Sequence, residues 1–346
     1  MNVQHMSGEG SQRVAELRPH DHRALQTTNT ADVDTPTVAM PVRRLIADTD
    51  LAVFPVAIGG SVFGWTASAD DTEGILDRYA AAGGNFIDTA DSYASGLSEV
   101  QIGRWLRRRG NRDDMVVATK IGRHADYRGL ARTTVTAAVN ASLERLGTDR
   151  IDLLYLHEDD PSTPLEETLG SVRDLIDAGK VRAVGASGLP VDRLIQARIL
   201  AAAGYPRIVA FETEYSLANR TDFEGDRALV ARGQDLAVMP YFALASGFLT
   251  GKYRSKADFT GTTRATRASA HFNRRGMRIL RALDSVGAAH GVGPATIALA
   301  WLLTRKAVCA PVVSASEPNQ VEALVAAPRI ALSRSQLLEL DRASRS

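Results

Sequence analysis

Between residues 55 and 314 one unit recurs eight times: a short apolar run, then a longer stretch with helical spacing. The runs fall at 55–58, 85–88, 115–120, 151–157, 181–187, 208–214, 236–241 and 308–314. Each is apolar along its length rather than alternating, the pattern of strands buried on both faces. Such strands form a parallel sheet covered by helices. An open doubly wound sheet usually has about five or six strands, whereas eight repeats close into a (β/α)8 TIM barrel. The helical pattern falls at 71–82, 98–108, 133–146, 164–177, 191–202, 226–232, 274–289, 294–304, 318–326 and 333–343. Asp70 or Asp71 is the expected N-cap of the first helix, and Gly83-Gly84, Gly147 and Gly179 are stop signals. Residues 251–273, rich in Arg, Ser, Thr and Gly, break the rhythm and read as an irregular loop.

Before the first repeat, apolar pairs on either side of a polar turn at 47–50 predict a hairpin over 43–54, placed to cover the N-terminal end of the barrel. Residues 1–40 are polar without a period and read as a flexible arm, leaving 41–346 as a single barrel domain. His5, His20 and His22 in that arm read as solvated tail residues, because no cysteine or rigid spacing makes them a metal site.

Composition excludes several classes. Hydrophobic residues make up 45% of the 346, enough for a large core, and the net charge is +1. That balance offers nothing to nucleic acid or to an anionic membrane. The single cysteine, Cys309, rules out an intrachain disulfide and fits a reducing cytosol. The apolar run 295–303 is too short to span a bilayer and reads as a core helix. The N-terminus lacks the apolar region of a signal peptide, so a cytoplasmic location is expected.

Of the 41 basic residues only five are lysine, so a lysine at a strand end is an uncommon event. In a parallel barrel the C-terminal strand ends share one mouth. Four polar groups fall there: Asp88, Tyr93 in the loop after it, Lys120 and His157. Singly, each has an ordinary explanation as a turn cap, a packed aromatic, a solvated strand end or a satisfied core histidine. Together they suit delivery of a proton to a carbonyl oxygen. A free tyrosine, with a pKa of about 10, is a poor acid, and a nearby ammonium is expected to lower that value. A carboxylate would keep the lysine charged and placed, and the imidazole could donate to a developing alkoxide. No metal is needed. No side chain donates hydride, so a nicotinamide is the economical source.

The stretch 86–93 (Phe-Ile-Asp-Thr-Ala-Asp-Ser-Tyr) with Gly96, Ser98 and Glu99, together with 118–120, 151–157, 184–187 and 247–253, resembles the aldo-keto reductase superfamily. The pattern is closest to its bacterial and potassium-channel β-subunit branches. The resemblance runs from about residue 43 to the C-terminal helix. It implies a barrel with NADP(H) lying across the mouth, and a catalytic tetrad of Asp88, Tyr93, Lys120 and His157 with Tyr93 as general acid. It also implies a small-molecule carbonyl substrate.

The resemblance implies cofactor contacts as well. Gly60, Ser61 and Asp88 lie at the first strand ends, and Ser187 would hold the carboxamide. Gly188 stands where the family usually has asparagine, and Glu212 where it has glutamine. Tyr241 would stack on the nicotinamide ring. Phe242, Ala243, Leu244, Ser246 and Gly247 would line the pyrophosphate, with Lys252 as a phosphate partner. Arg264 or Arg267 could reach the cofactor from the irregular loop. Ser314, Ser316 and Gln320 match the segment that holds the ribose 2′-phosphate. Many relatives have arginine where Ser316 stands, and Ala323-Leu324 replace an adenine-contacting Glu-Asn pair. NADP(H) is therefore the expected cofactor with NAD(H) as the alternative.

Trp65, Ser92, Tyr93 and His157 are expected to line the substrate pocket with the 251–273 loop. The acidic run Glu158-Asp159-Asp160 reads either as a preference for a polyhydroxylated or cationic substrate or as a solvated loop. Two other functional readings stay open: a nicotinamide-sensing subunit with little turnover, and a barrel isomerase using the same four groups. The sequence leaves the oligomeric state open.

Overall fold

The computed structural model describes residues 42–259 and 263–345. The polar arm expected at 1–40, with its three histidines, lies outside the described residues. Two short strands come first, β1 (Arg44–Leu45) and β2 (Ala52–Val53), followed by β3 (Ala57–Gly59), α1 (Ala69–Ala81), β4 (Phe86–Asp88), α2 (Leu97–Arg109), β5 (Val116–Ile121) and α3 (Arg132–Leu146). Next are β6 (Ile151–Leu156), α4 (Leu165–Asp177), β7 (Val181–Ser187), α5 (Val191–Ala202), β8 (Ile208–Glu214), α6 (Asp226–Gly233) and β9 (Ala237–Tyr241). The chain continues through α7 (Thr263–Ser269), α8 (Arg274–His290), α9 (Pro294–Leu303), β10 (Val312–Val313), α10 (Val321–Val325) and α11 (Arg334–Ser344).

Strands β3 to β10 form one parallel sheet in the order β10-β3-β4-β5-β6-β7-β8-β9. The run predicted at 308–314 serves two neighbours in turn. Val308 bridges Val238 of β9, and the Cys309 N–H donates to the Val238 carbonyl at 2.8 Å. Pro311 has no N–H to continue that ladder. Its carbonyl instead accepts from Ala57, and β10 then pairs with β3. The sheet therefore closes into a nearly complete (β/α)8 barrel, with one strand divided at the seam.

β1 and β2 pair antiparallel, Arg44 opposite Val53. Ile46, Leu51 and Val53 cluster with Ala57, Phe86, Val116 and Ala237, the first residues of four barrel strands. The hairpin thus covers the N-terminal end of the barrel. Asn85 fastens it, accepting from the Phe54 N–H at 2.7 Å and donating to the Ala52 carbonyl at 3.0 Å.

A second, larger apolar layer lies between strands and helices. In α9 every residue from Ala295 to Leu302 is buried, so the apolar run is a core helix. Among the described residues no single helix is long and apolar enough to cross a membrane.

Two expectations need correction. Ser68, rather than Asp70 or Asp71, caps α1. Its hydroxyl accepts from the Asp71 N–H, and the Asp71 carboxylate returns a bond to the Ser68 N–H. Asp71 is the reciprocal member of a capping box three residues inside the helix. The irregular segment 251–273 also holds a helix, α7. Among its described side chains only two small ones, Ala265 and Ala268, turn into the core, and two alanines leave too weak a stripe for periodicity to show.

Candidate active site

Asp88 ends β4, Lys120 lies near the end of β5, and His157 directly follows β6. These are adjacent strands in the sheet, so their ends deliver the three side chains to one volume at the mouth. Tyr93 enters from the turn after β4, which is bent by left-handed backbone at Ala94 and Ser95 (φ 49° and 54°). Buried bonds hold this turn. The Ser98 hydroxyl donates to the Gly60 carbonyl at 2.9 Å, and Glu99 accepts from Thr119 Oγ1 at 2.5 Å and Arg145 Nε at 2.6 Å.

Lys120 is 1% exposed. Its ammonium donates to both Asp88 oxygens at 2.7 and 2.6 Å, and to the Thr89 carbonyl at 2.9 Å. It lies 5.3 Å from the Tyr93 ring centroid. The Tyr93 and His157 rings meet edge to face at 6.0 Å. The structure therefore brings together all four groups singled out from the sequence.

The electrostatics correct one expectation. Burial pushes the Tyr93 phenol up to about 12. Lys120 lowers it, but the Asp88 carboxylate works against Lys120, so the net direction is upward. The ammonium does lower the phenol, as expected, but desolvation, which disfavours the phenolate, outweighs it. Tyr93 is a protonated phenol across the ordinary pH range. Burial pulls the Lys120 ammonium down, but the net direction is upward, with Asp88 the foremost opposing group, so it stays charged. Burial, with help from Lys120 and Arg123, holds the His157 imidazole down to about 2. His157 is therefore neutral, and a neutral imidazole has one N–H to donate.

Around this group the backbone is strained. Of seven non-glycine residues with positive φ among those described, five flank the mouth: Ala94, Ser95, Phe242, Ala245 and Ser246. Such conformations cluster where a ligand is clamped. Ala243 is buried, Leu244 is partly buried, and Gly247 (φ 91°) completes the left-handed run after β9. Lys252 lies beside this loop, since a side chain at Gly247 would come within 3.3 Å of its Cε.

The remaining candidates divide between the two ends of the mouth. Ser187 ends β7 and pairs in the sheet with Glu212, which lies two residues before the end of β8. Gly188 follows at φ 63°, a left-handed position that glycine and asparagine both tolerate. Tyr241 ends β9 and meets Phe242 edge to face. At the other end, the Ser61 and Ser314 hydroxyls are 3.1 Å apart, and the Ser316 N–H donates to Gln320 Oε1 at 3.0 Å. Arg264, on α7, donates to Ser316 Oγ at 3.4 Å. Arg267 instead lies over the Phe242 ring. Leu324 turns into the core, so it faces away from any ligand. Trp65, 59% exposed, stands on the loop after β3, and Ser92 is partly buried beside Tyr93. The acidic run, read from the sequence as a substrate preference or a solvated loop, has partners within the protein. Glu158 pairs with Arg123, Asp159 with Arg193, and Asp160 accepts from the Leu130 N–H and from Ser162 and Thr163.

Three participants were not foreseen in these roles. Glu212 Oε1 lies 3.4 Å from Lys120 Nζ, making it a second carboxyl beside the ammonium. The Tyr155 ring sits 5.6 Å from the same nitrogen. Asp91 is fully buried, and neither of its oxygens has a hydrogen-bond partner. The signal for Glu212 was its place near the C-terminal end of a strand, where a carboxylate interrupts apolar residues. Among the described residues no cluster of three metal-binding side chains occurs.

A model of the Aldo/keto reductase family matches residues 55–345. The norsolorinic acid reductase stcV of Emericella nidulans is 32% identical over 309 residues, covering 84% of this chain and 78% of its own length. The aldo-keto reductase yakc of Schizosaccharomyces pombe, whose name carries NADP(+), is 28% identical over 317 residues, 88% of this chain and 91% of its own. The protein tas of Escherichia coli is 28% identical over 331 residues, 86% of this chain and 95% of its own.

Proposed function

The chain belongs to the aldo/keto reductase family and is an oxidoreductase, and from that premise we propose that it reduces an aldehyde or ketone to the alcohol with NADPH, Tyr93 supplying the proton. The observation that carries this reading is the buried Lys120–Asp88 pair with Tyr93 and His157 arranged around it. When bound, the nicotinamide supplies the hydride. As hydride reaches the carbonyl carbon, the oxygen gains negative charge. His157, neutral, donates a hydrogen bond to that oxygen, and Tyr93 transfers its phenolic proton to it. A phenol titrating at about 12 is still a competent donor to an alkoxide, which is the stronger base. Lys120 positions the phenol and offsets the charge left on it, and Asp88 positions Lys120.

The residues present fit a nicotinamide dinucleotide. Glu212 offers a buried oxygen without a partner at the ring end. Ser187 beside it suits the carboxamide, and Tyr241 offers an aromatic face. The left-handed loop 242–247, with Lys252 near it, suits the diphosphate. Gly60 and Ser61 border the same groove. Arg264 beside Ser316 supports NADP(H) over NAD(H), because a guanidinium there suits a 2′-phosphate even though position 316 is serine. Trp65 gives the pocket an exposed apolar wall, which favours a substrate with a planar or apolar body. Norsolorinic acid, the compound in several relatives' names, belongs in the first panel beside simple aldehydes, ketones and sugars. Oxidation of NADPH dependent on one of these compounds tests the proposal. Absence of both NADPH binding and NADPH oxidation across the panel overturns it.

A further inference from the structure

Lys120 is flanked by more acceptor oxygens than it has protons to share: two of Asp88, one of Glu212 and the Thr89 carbonyl. Its three N–H groups are committed to the two Asp88 oxygens and the Thr89 carbonyl. Glu212 Oε1, at 3.4 Å from the same nitrogen, lies outside that set and has no hydrogen-bond partner. Glu212 is 2% exposed, so water does not compensate. Two ionised carboxylates facing one ammonium would leave a buried charge unneutralised, and a site of this kind retains a proton. Both Asp88 oxygens accept from the ammonium, so the proton resides on Glu212, whose Oε1 has no such bond. Burial, and then Asp88, push the Glu212 carboxyl well above the ordinary range, and Lys120 reverses only part of this. Three phenols feel the Glu212 carboxyl: Tyr93, Tyr155 and Tyr241. All three phenols are pushed above their ordinary values, burial being the first cause, so none of them supplies a competing charge change near neutral pH.

We propose that Glu212 is a neutral acid in the free protein and releases its proton to solvent when the oxidised nicotinamide ring binds beside it, so that the site couples the ring's charge to one proton. The inference rests on the nicotinamide reading above. The oxidised ring carries a positive charge and the dihydronicotinamide ring carries none. An ionised Glu212 therefore gains attraction to the oxidised ring alone. A glutamine in its place would accept and donate hydrogen bonds but could not change charge. The carboxyl thus makes binding of the oxidised form depend on pH, while binding of the reduced form prefers the protonated acid.

The test compares dissociation constants of NADP+ and NADPH, measured by quenching of protein fluorescence across pH, in the wild type and in Glu212→Gln. Adenosine and phosphates are common to the two forms, so their ratio isolates the ring. For a one-proton linkage the ratio of the NADP+ constant to the NADPH constant falls with rising pH by up to about tenfold per pH unit. In Glu212→Gln it stays flat. An indicator dye in weak buffer should record release of close to one proton when NADP+ binds the wild type, and almost none from the variant. A flat wild-type ratio overturns the proposal, as does proton release undiminished in Glu212→Gln. If the variant fails to fold, the wild-type ratio decides by itself. If neither NADP+ nor NADPH binds at any pH, the reductase reading falls and this inference with it.

Discussion

Lys120 and Asp88 form a two-oxygen ion pair, at 2.7 and 2.6 Å, in which both side chains are almost wholly shielded from water. Removing one member of such a pair costs more than the pair contributes, because the partner is left charged and unsolvated. Lys120→Met should destabilise the protein by about 3–5 kcal/mol near neutral pH. The loss should shrink toward acid pH, where a buried carboxylate left without its ammonium can take up a proton instead. Denaturant midpoints at several pH values check this. An equal loss at every pH would place the cost in packing rather than charge.

Asp91 and His157 pull the pH dependence of stability in opposite directions. Burial, then the neighbouring Glu99, push Asp91 up to about 7. Its folded pKa lies above the unfolded value of about 3.9, so the stability it confers is present in acid and is lost as pH rises toward about 7. The His157 pKa is depressed to about 2. Its contribution is present above the unfolded value of about 6.5 and is lost as pH falls. Between about pH 4 and 6.5 the two slopes largely cancel. Asp91→Asn removes the Asp91 slope, so that its stability falls with acid by up to about 1.4 kcal/mol per pH unit relative to wild type. Unfolding curves of the two proteins over that window measure it, and parallel curves would contradict it.

Arg264 should set the choice between NADPH and NADH. A charge-assisted hydrogen bond contributes roughly 1.5–3 kcal/mol. Arg264→Ala should therefore weaken NADPH binding by about tenfold or more and leave NADH binding within about twofold. Equal weakening of both would mean that Arg264 acts through the shared diphosphate or through the packing of α7.

Much of this arrangement was legible in the sequence because it follows from repetition. Eight buried strands fix a barrel, and a barrel fixes that Asp88, Lys120 and His157 share a mouth. What stayed hidden depends on contacts between distant segments. α7 is held by Ala265 and Ala268 against the 245–250 turn, and two alanines leave no readable stripe. The strand at the seam divides because Pro311 lacks an N–H, so one apolar run pairs with two neighbours. The direction of the Tyr93 shift turns on how deeply the site is buried, which only the packed structure reveals. Glu212 was visible as a departure from the family's glutamine. Its proximity to Lys120 arises from the register of β8 against β7 and the inward turn of its side chain.

The central claim is that Tyr93 delivers the proton while the rest of the mouth holds the cofactor. Single-turnover reduction of an accepted carbonyl by NADPH-loaded wild type and Tyr93→Phe, with the NADPH dissociation constant of each, tests it most directly. The account predicts a rate lower by about 10²–10⁴-fold in Tyr93→Phe and NADPH affinity within about twofold of wild type. A Tyr93→Phe enzyme that reduces the same substrate at the wild-type rate would contradict it.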